Sequence, residues 1–303
     1  MEDDMTEFPQ ESSEPKLQEL IEQKRRLQEE LAETRSLLEK VETSIRELTQ
    51  ATLPGNPDES GNSLVSSGFT RLDDLLHGGY PSASNILLSG PPYSSKFNVA
   101  HRFIVSSLRE SHPVIVVSLD QPISDIKVYL SAMGISPDEY EESGLLKFVD
   151  AYSKSIQMES NDKNAVVLDN VAVISNFLKS MDQICSTVLS KMGKYRMVFF
   201  SLTAWITQSS EDKMFTKALQ HFSQRRKMEG STTLYLIEDG IFQRSLYENM
   251  NYFMDGSIEF RSESSVEYLR IRGMKDVQSR DWIEIVRSNN SLTLGSFELK
   301  RIR

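Results

Sequence analysis

The segment Ser84–Asn98, read as SNILLSGPPYSSKFN, combines a short apolar run with a small-residue turn and a lysine. The run Ile86–Leu88 predicts a buried strand, and the apolar residues that follow Lys96 recur at helical spacing. A strand, a turn, a lysine and a helix in this order are typical of a phosphate-binding loop, in which backbone N–H groups and the helix N-terminus face the phosphates. Taken alone, the segment also fits an ordinary strand-to-helix turn.

The segment keeps only part of the phosphate-loop pattern G-x-x-x-x-G-K-[ST]. Gly90 and Lys96 are present, but Ser95 replaces the second glycine and Phe97 replaces the hydroxyl residue that would hold a metal ion. The candidate nucleotide-binding residues of this loop are Gly90, Pro91, Pro92, Tyr93, Ser94, Ser95, Lys96 and Phe97.

Composition limits the classes of protein that fit. The chain has 303 residues, a net charge of −10 and 39% hydrophobic residues, which is enough for one globular domain and an appendage. The acidic balance argues against nonspecific nucleic-acid binding. No run approaches the roughly 20 apolar residues of a membrane span, and the acidic N-terminus lacks a secretory signal pattern. The single cysteine, Cys185, excludes an intrachain disulfide and is expected in the core. We therefore expect a cytoplasmic protein.

The chain divides into four predicted regions. Residues 1–15 are acidic and are predicted to be disordered, residues 16–50 carry a heptad repeat, residues 51–66 form a linker rich in Pro, Gly and Ser, and residues 67–303 form the globular domain. Eight of ten core positions in the heptads are apolar, and Lys24 and Thr34 are the exceptions. This pattern predicts a coiled coil that joins copies of the chain or a partner coiled-coil protein. A single helix that folds back on the domain is the alternative.

Beyond the loop, apolar strands alternate with helical patterns and then give way to short strands joined by polar turns. This order predicts an α/β fold, with a mostly parallel sheet flanked by helices and antiparallel strands at the C-terminal end. One predicted strand, residues 165–169, ends at Asp169. Ligands bind at the carboxyl ends of strands in such sheets, so Asp169 is a candidate Mg²⁺ ligand. A helix N-cap is the alternative role for this aspartate.

Four motifs in the expected order carry a resemblance to a known family. They are GFTRLDDLLHGGYPSAS (residues 68–84), SGLLKFVDAYS (143–153), DGSIEF (255–260) and YLRIRGMKD (268–276). From about Leu64 to its end the chain resembles the RecA/KaiC superfamily, and specifically the KaiC-like ATPases abundant in archaea. The resemblance implies a RecA-like fold and ATP and Mg²⁺ as cofactors. The heptad region lies outside it.

The resemblance also implies roles for individual residues. Gly90 and Lys96 would cradle phosphates, and Asp169 would lie near the metal. Arg270 and Arg272 would reach the nucleotide of a neighbouring subunit in a ring. Where family members place acidic catalytic residues, often a Glu pair, this chain has Asp120 and Gln121. Asp120 is thus a weak candidate catalytic residue, because its side chain is one methylene shorter than that of glutamate.

These departures predict a regulatory or signalling protein that binds nucleotide, if at all, with very slow or absent ATP hydrolysis. The prediction follows because hydrolysis depends on preorganised groups, and several of them are changed together here. Two alternatives remain open. One is an active ATPase that completes its site in trans through Arg270 and Arg272. The other is a DNA recombination or repair relative, against which the acidic charge argues.

Overall fold

The computed structural model describes residues 18, 22–27, 63–169, 171–209, 212–288 and 291–295. The chain forms two compact units, Met1–Gly61 and Asn62–Arg303. In the first unit, residues 22–27 are helical and exposed. The rest of the predicted coiled coil lies outside the described residues, as do the predicted tail and most of the predicted linker. The second unit begins before residue 67, because Leu64–Val65 already forms a strand that pairs with Tyr80–Pro81.

The second unit alternates strands and helices in the predicted manner. Its strands are β1 (Leu64–Val65), β2 (Tyr80–Pro81), β3 (Asn85–Gly90), β4 (Val114–Ser118), β5 (Leu146–Asp150), β6 (Val166–Val167), β7 (Arg196–Phe200), β8 (Thr232–Glu238), β9 (Gly256–Glu263), β10 (Val266–Arg272), β11 (Ile283–Ser288) and β12 (Ser291–Leu294). Its α-helices are α1 (Thr70–Leu75), α2 (Lys96–Arg109), α3 (Ile123–Ala132), α4 (Pro137–Glu142), α5 (Ile174–Met192), α6 (Leu202–Gln208), α7 (Asp212–Met228) and α8 (Arg244–Phe253).

Ten of these strands form one sheet in the order β12-β11-β10-β9-β3-β8-β7-β4-β5-β6. Each neighbouring pair from β9-β3 through β5-β6 in this order is parallel. The pairs β9-β10, β10-β11 and β11-β12 are antiparallel. The predicted fold class is therefore confirmed, including the antiparallel C-terminal end.

The core lies on both faces of the sheet. Along β3, Ile86 and Leu88 pack into one apolar cluster and Leu87 packs into the other. This division is expected because successive side chains of a strand point to opposite faces. Helices cover both faces, so the central parallel strands carry runs of consecutive buried apolar residues, such as Ile86–Leu88 and Val114–Val117. Cys185 is fully buried, as predicted.

The fold differs from the sequence interpretation mainly at one edge of the sheet. The predicted strand 165–169 is reduced to Val166–Val167, which pairs only with β5 and is half-buried. The apolar run resembled a central strand because single-sequence patterns do not distinguish an edge strand from a buried one. Three helices, α4, α6 and α8, were not predicted. None of the described helices is long and apolar enough to cross a membrane.

The end of β3 offers a test of packing beside the loop. A Cβ atom added to Gly90 would lie 2.7 Å from the Cβ atom of Phe260, closer than real side-chain contacts. We expect Gly90→Ala to lower the free energy of unfolding by about 1–3 kcal/mol, because the sheet must move to admit the methyl group. Chemical denaturation measures this change.

Gly295→Ala is the matched control, since its added Cβ would lie 3.5 Å from the backbone oxygen of Glu284, an ordinary contact. Equal stability losses in the two variants would contradict the prediction.

Candidate functional site

The candidate loop joins the central strand β3 to helix α2. All six residues of β3 are buried, which fixes the start of the loop. Tyr93 lies in the loop with φ of 61° and 94% of its surface exposed. Ser94, Ser95 and Lys96 are buried instead of lining an open surface. These three polar side chains of the loop are therefore shielded from solvent by the protein itself.

The amine of Lys96 points back into the loop. Its Nζ atom donates hydrogen bonds to Pro91 O at 2.7 Å, to Gly90 O at 3.3 Å and to Ser94 Oγ at 3.3 Å. It also forms an ion pair with Glu238 Oε2 at 2.7 Å. The Lys96 side chain is fully buried, and this burial lowers its pKa, while the charge of Glu238 opposes the shift. The amine predicted to reach phosphates is thus occupied by the protein itself.

A second carboxylate occupies the N-terminus of helix α2. Glu267 Oε1 accepts a hydrogen bond from the backbone N–H of Ser95 at 2.5 Å, and Glu267 Oε2 accepts one from Ser95 Oγ at 2.7 Å. Ser95 is the N-cap residue of α2, so the carboxylate lies where a helix N-terminus attracts an anion. Glu267 extends from β10 and is buried.

Two aromatic rings pack where the phosphate-loop pattern has a metal-binding hydroxyl, which the sequence predicts is lost at Phe97. Phe97 stacks on Phe200, with ring centroids 6.1 Å apart and ring planes 5° from parallel. Phe200 ends β7, which is separated from β3 only by β8. Mg²⁺ needs oxygen ligands, and a benzene ring supplies none. Phe97 and Phe200 therefore do not fit a magnesium ion bound directly at this position.

His101 extends the aromatic cluster away from the loop. Its ring lies 5.5 Å from that of Phe200 and 4.9 Å from that of Tyr129, measured between centroids. Burial lowers the pKa of His101 to about 4, so its ring is neutral near pH 7. The neutral ring packs among aromatic rings, although its Nε2 atom is buried without a hydrogen-bond partner in the described part of the chain.

Asp120 and Gln121 follow β4 on the same edge of the sheet as the loop. Asp120 is solvent-accessible, yet the surrounding protein reduces its hydration and raises its pKa to about 6. A hydrogen bond from Ser201 and the charge of Lys96 oppose this shift, whereas the charge of Glu238 adds to it. Asp120 thus shares an electrostatic network with the Lys96–Glu238 pair.

A family model described as "ATPase: KaiC" matches residues 65–285. The chain belongs to the KaiC family of ATPases. The sequence motifs had predicted membership of this nucleotide-binding superfamily, and the match confirms it.

Individual relatives match shorter parts of the chain. A UPF0273 protein of Aeropyrum pernix is 31% identical over 117 residues, which are 38% of this chain and 47% of that protein. The circadian clock oscillator protein KaiC of Prochlorococcus marinus is 24% identical over 164 residues, which are 54% of this chain and 32% of that protein. The chain thus spans about half or less of the length of these two relatives. The crystal structure of a KaiC-like protein from Pyrococcus horikoshii matches with a TM-score of 0.61 and 20% identity, covering 78% of this chain and all of that one.

The structure does not bring every predicted site residue of this KaiC-family chain to the loop. Asp169 follows β6 at the far edge of the sheet and is exposed, with β8, β7, β4 and β5 between its strand and β3. Arg270 and Arg272 lie on β10, where both pair with Glu259 at 2.5 Å and 2.9 Å. Asp169 was proposed as a metal ligand because it follows the carboxyl end of an apolar strand, a criterion that does not specify the position of the strand in the sheet.

Three residues at the site were not predicted: Phe200, Glu238 and Glu267. Phe200 and Glu238 end buried parallel strands, and the carboxyl ends of such strands are where ligands bind, so a survey of strand ends would have found both. Glu267 has a subtler signal. It alternates in phase with Leu269 and Ile271, which are buried, so an acidic residue faces the core.

The raised pKa of Asp120 predicts a pH-dependent effect of removing its charge. Because the folded-state pKa of about 6 exceeds the ordinary 3.8, the carboxyl group lowers stability as pH rises through this window. We expect Asp120→Asn to raise the free energy of unfolding at about pH 8 by about 1 kcal/mol or less, since the group is solvent-accessible. The gain should vanish near pH 4.

Denaturant unfolding of both proteins across this pH range measures the difference. A gain that is the same at both ends of the range, or a loss at high pH, would contradict the prediction.

Proposed function

We propose that this chain is a non-hydrolysing member of the KaiC family that acts as a regulatory or signalling protein. Its RecA-like domain would serve as a scaffold, and its N-terminal heptad region would join it to another copy or to a partner coiled coil. The stacking of Phe97 on Phe200 carries this proposal. Phe97 stands where the family pattern has a metal-binding hydroxyl, and its ring is held there by Phe200.

The position of Lys96 supports the same conclusion. ATP hydrolysis depends on groups that stabilise charge on the outer phosphates, and the loop lysine is one of them. Here the lysine is buried against Glu238 and two loop carbonyl groups. The candidate catalytic pair Asp120–Gln121 would supply at most one carboxylate to activate water. The pKa of Asp120 is raised mainly because the surrounding protein reduces its hydration.

The alternative functions receive less support. An ATPase completed in trans would need Arg270 and Arg272 to reach another subunit, but Glu259 of the same chain pairs with both. A DNA-binding role would need a basic surface, whereas the chain carries a net charge of −10.

Phosphate release from ATP tests the proposal directly. The full chain with Mg²⁺ and ATP should release no phosphate above the rate without protein, because the metal ligands and the free lysine are missing. A colorimetric or coupled phosphate assay measures the rate. Release above this background that the Lys96→Met variant abolishes would show an active site and would overturn the proposal.

The heptad region provides a second prediction. If residues 16–50 form a self-associating coiled coil, the full chain should have at least twice the mass of one copy in solution. A chain lacking residues 1–55 should then have the mass of a single copy, as measured by light scattering after size-exclusion chromatography. Two single-copy masses would contradict self-association and leave the partner coiled coil as the role of this region.

A further inference from the structure

We propose that Glu238 and Glu267 are internal ligands of the phosphate loop, which take the places of phosphate oxygens and keep the loop closed. The proposal concerns the site of the proposed function and rests on it. It assigns a latent oxyanion site, meaning a site whose donors are those of a phosphate cradle but are already occupied by carboxylates of the same chain.

The contact of Glu267 has the geometry of a bound oxyanion. Two oxygens of one carboxylate accept the backbone N–H and the hydroxyl of Ser95, at 2.5 Å and 2.7 Å. Donors at the start of a helix favour negative charge, and phosphate groups use the same donors in nucleotide-binding loops. Burying a carboxylate is costly unless it is hydrogen-bonded, so this contact also explains why an acidic residue is tolerated among the core-facing residues of β10.

Glu238 performs the equivalent role for the lysine. A phosphate-loop lysine normally places its positive charge beside the outer phosphates. In this chain the charge of Lys96 is balanced by Glu238 at 2.7 Å, and its remaining hydrogen bonds go to the loop itself. Since the Lys96 side chain is fully buried, an entering phosphate could pair with it only after Glu238 withdrew.

The charge around the loop disfavours a polyanion as well. Glu238, Asp239 and Asp120 all interact electrostatically with Lys96, and Glu267 adds a further carboxylate beside Ser95. In the described part of the chain, these four carboxylates thus outnumber Lys96 at the position where a nucleotide would place its phosphates. Like-charge repulsion of this kind lowers the affinity for ATP and for inorganic phosphate.

Removal of the two carboxylates should therefore create an anion site. In the full chain, the double variant Glu238→Ala and Glu267→Ala should bind ATP, offered without Mg²⁺, with a dissociation constant at least tenfold lower than that of the wild type. Inorganic phosphate is the second probe, and it distinguishes binding by the loop from binding of the nucleoside. Isothermal titration calorimetry measures both affinities, and Glu284→Gln, an exposed glutamate of β11, is the matched control.

Circular dichroism first establishes that the variants fold. The double variant Glu238→Gln and Glu267→Gln, which keeps the shape of both side chains, replaces the alanine variant if that protein unfolds, and the same tenfold gain is expected. Folded variants with the affinity of the wild type would overturn the internal-ligand proposal. So would a gain of the same size in the Glu284→Gln control.

The outcomes separate this proposal from the proposed function. Lys96-dependent phosphate release by the wild type overturns the proposed function. No release by the wild type, together with no gain of affinity in the folded variants, overturns only the internal-ligand proposal.

Discussion

The buried amine of Lys96 is the constraint on which the arrangement of the site depends. An ammonium group that is removed from water must be paired and hydrogen-bonded, because its desolvation is otherwise too costly. Glu238 supplies the opposite charge, and the loop folds so that its own carbonyl groups complete the hydrogen bonds. The closed shape of the loop follows from this requirement.

The other changes at the loop are consistent with one another. Phe97 and Phe200 come from α2 and β7, yet their rings pack in parallel, and His101 continues the cluster as a neutral ring. This apolar contact between two elements forms where the phosphate-loop pattern expects a metal-binding hydroxyl after the lysine. Within the described residues, the cluster still leaves one polar atom unpaired, because His101 Nε2 is buried without a hydrogen-bond partner. These packed rings stand beside the loop in place of the hydroxyl that the phosphate-loop pattern expects after the lysine.

Most of the fold could be predicted from the sequence, because it is governed by local patterns. Alternating apolar strands and amphipathic helices indicate a parallel sheet, and the motif at residues 68–84 indicates the KaiC family. The prediction for Asp169 depends on the part of the fold about which this reasoning has least information. Whether a short apolar strand lies at the centre or the edge of a sheet depends on strand order, and strand order is set by contacts distant in sequence.

The sequence by itself determined the fold class, the family and the loss of the glycine and the metal-binding hydroxyl from the loop, since each of these is encoded in adjacent residues. Only the tertiary structure decided what replaced them. Glu238 and Glu267 are separated from the loop by more than a hundred residues along the chain, and they meet Lys96 and Ser95 because β8 and β10 fold beside it. Side-chain pairing across that separation depends on the register and order of strands, which no local pattern specifies.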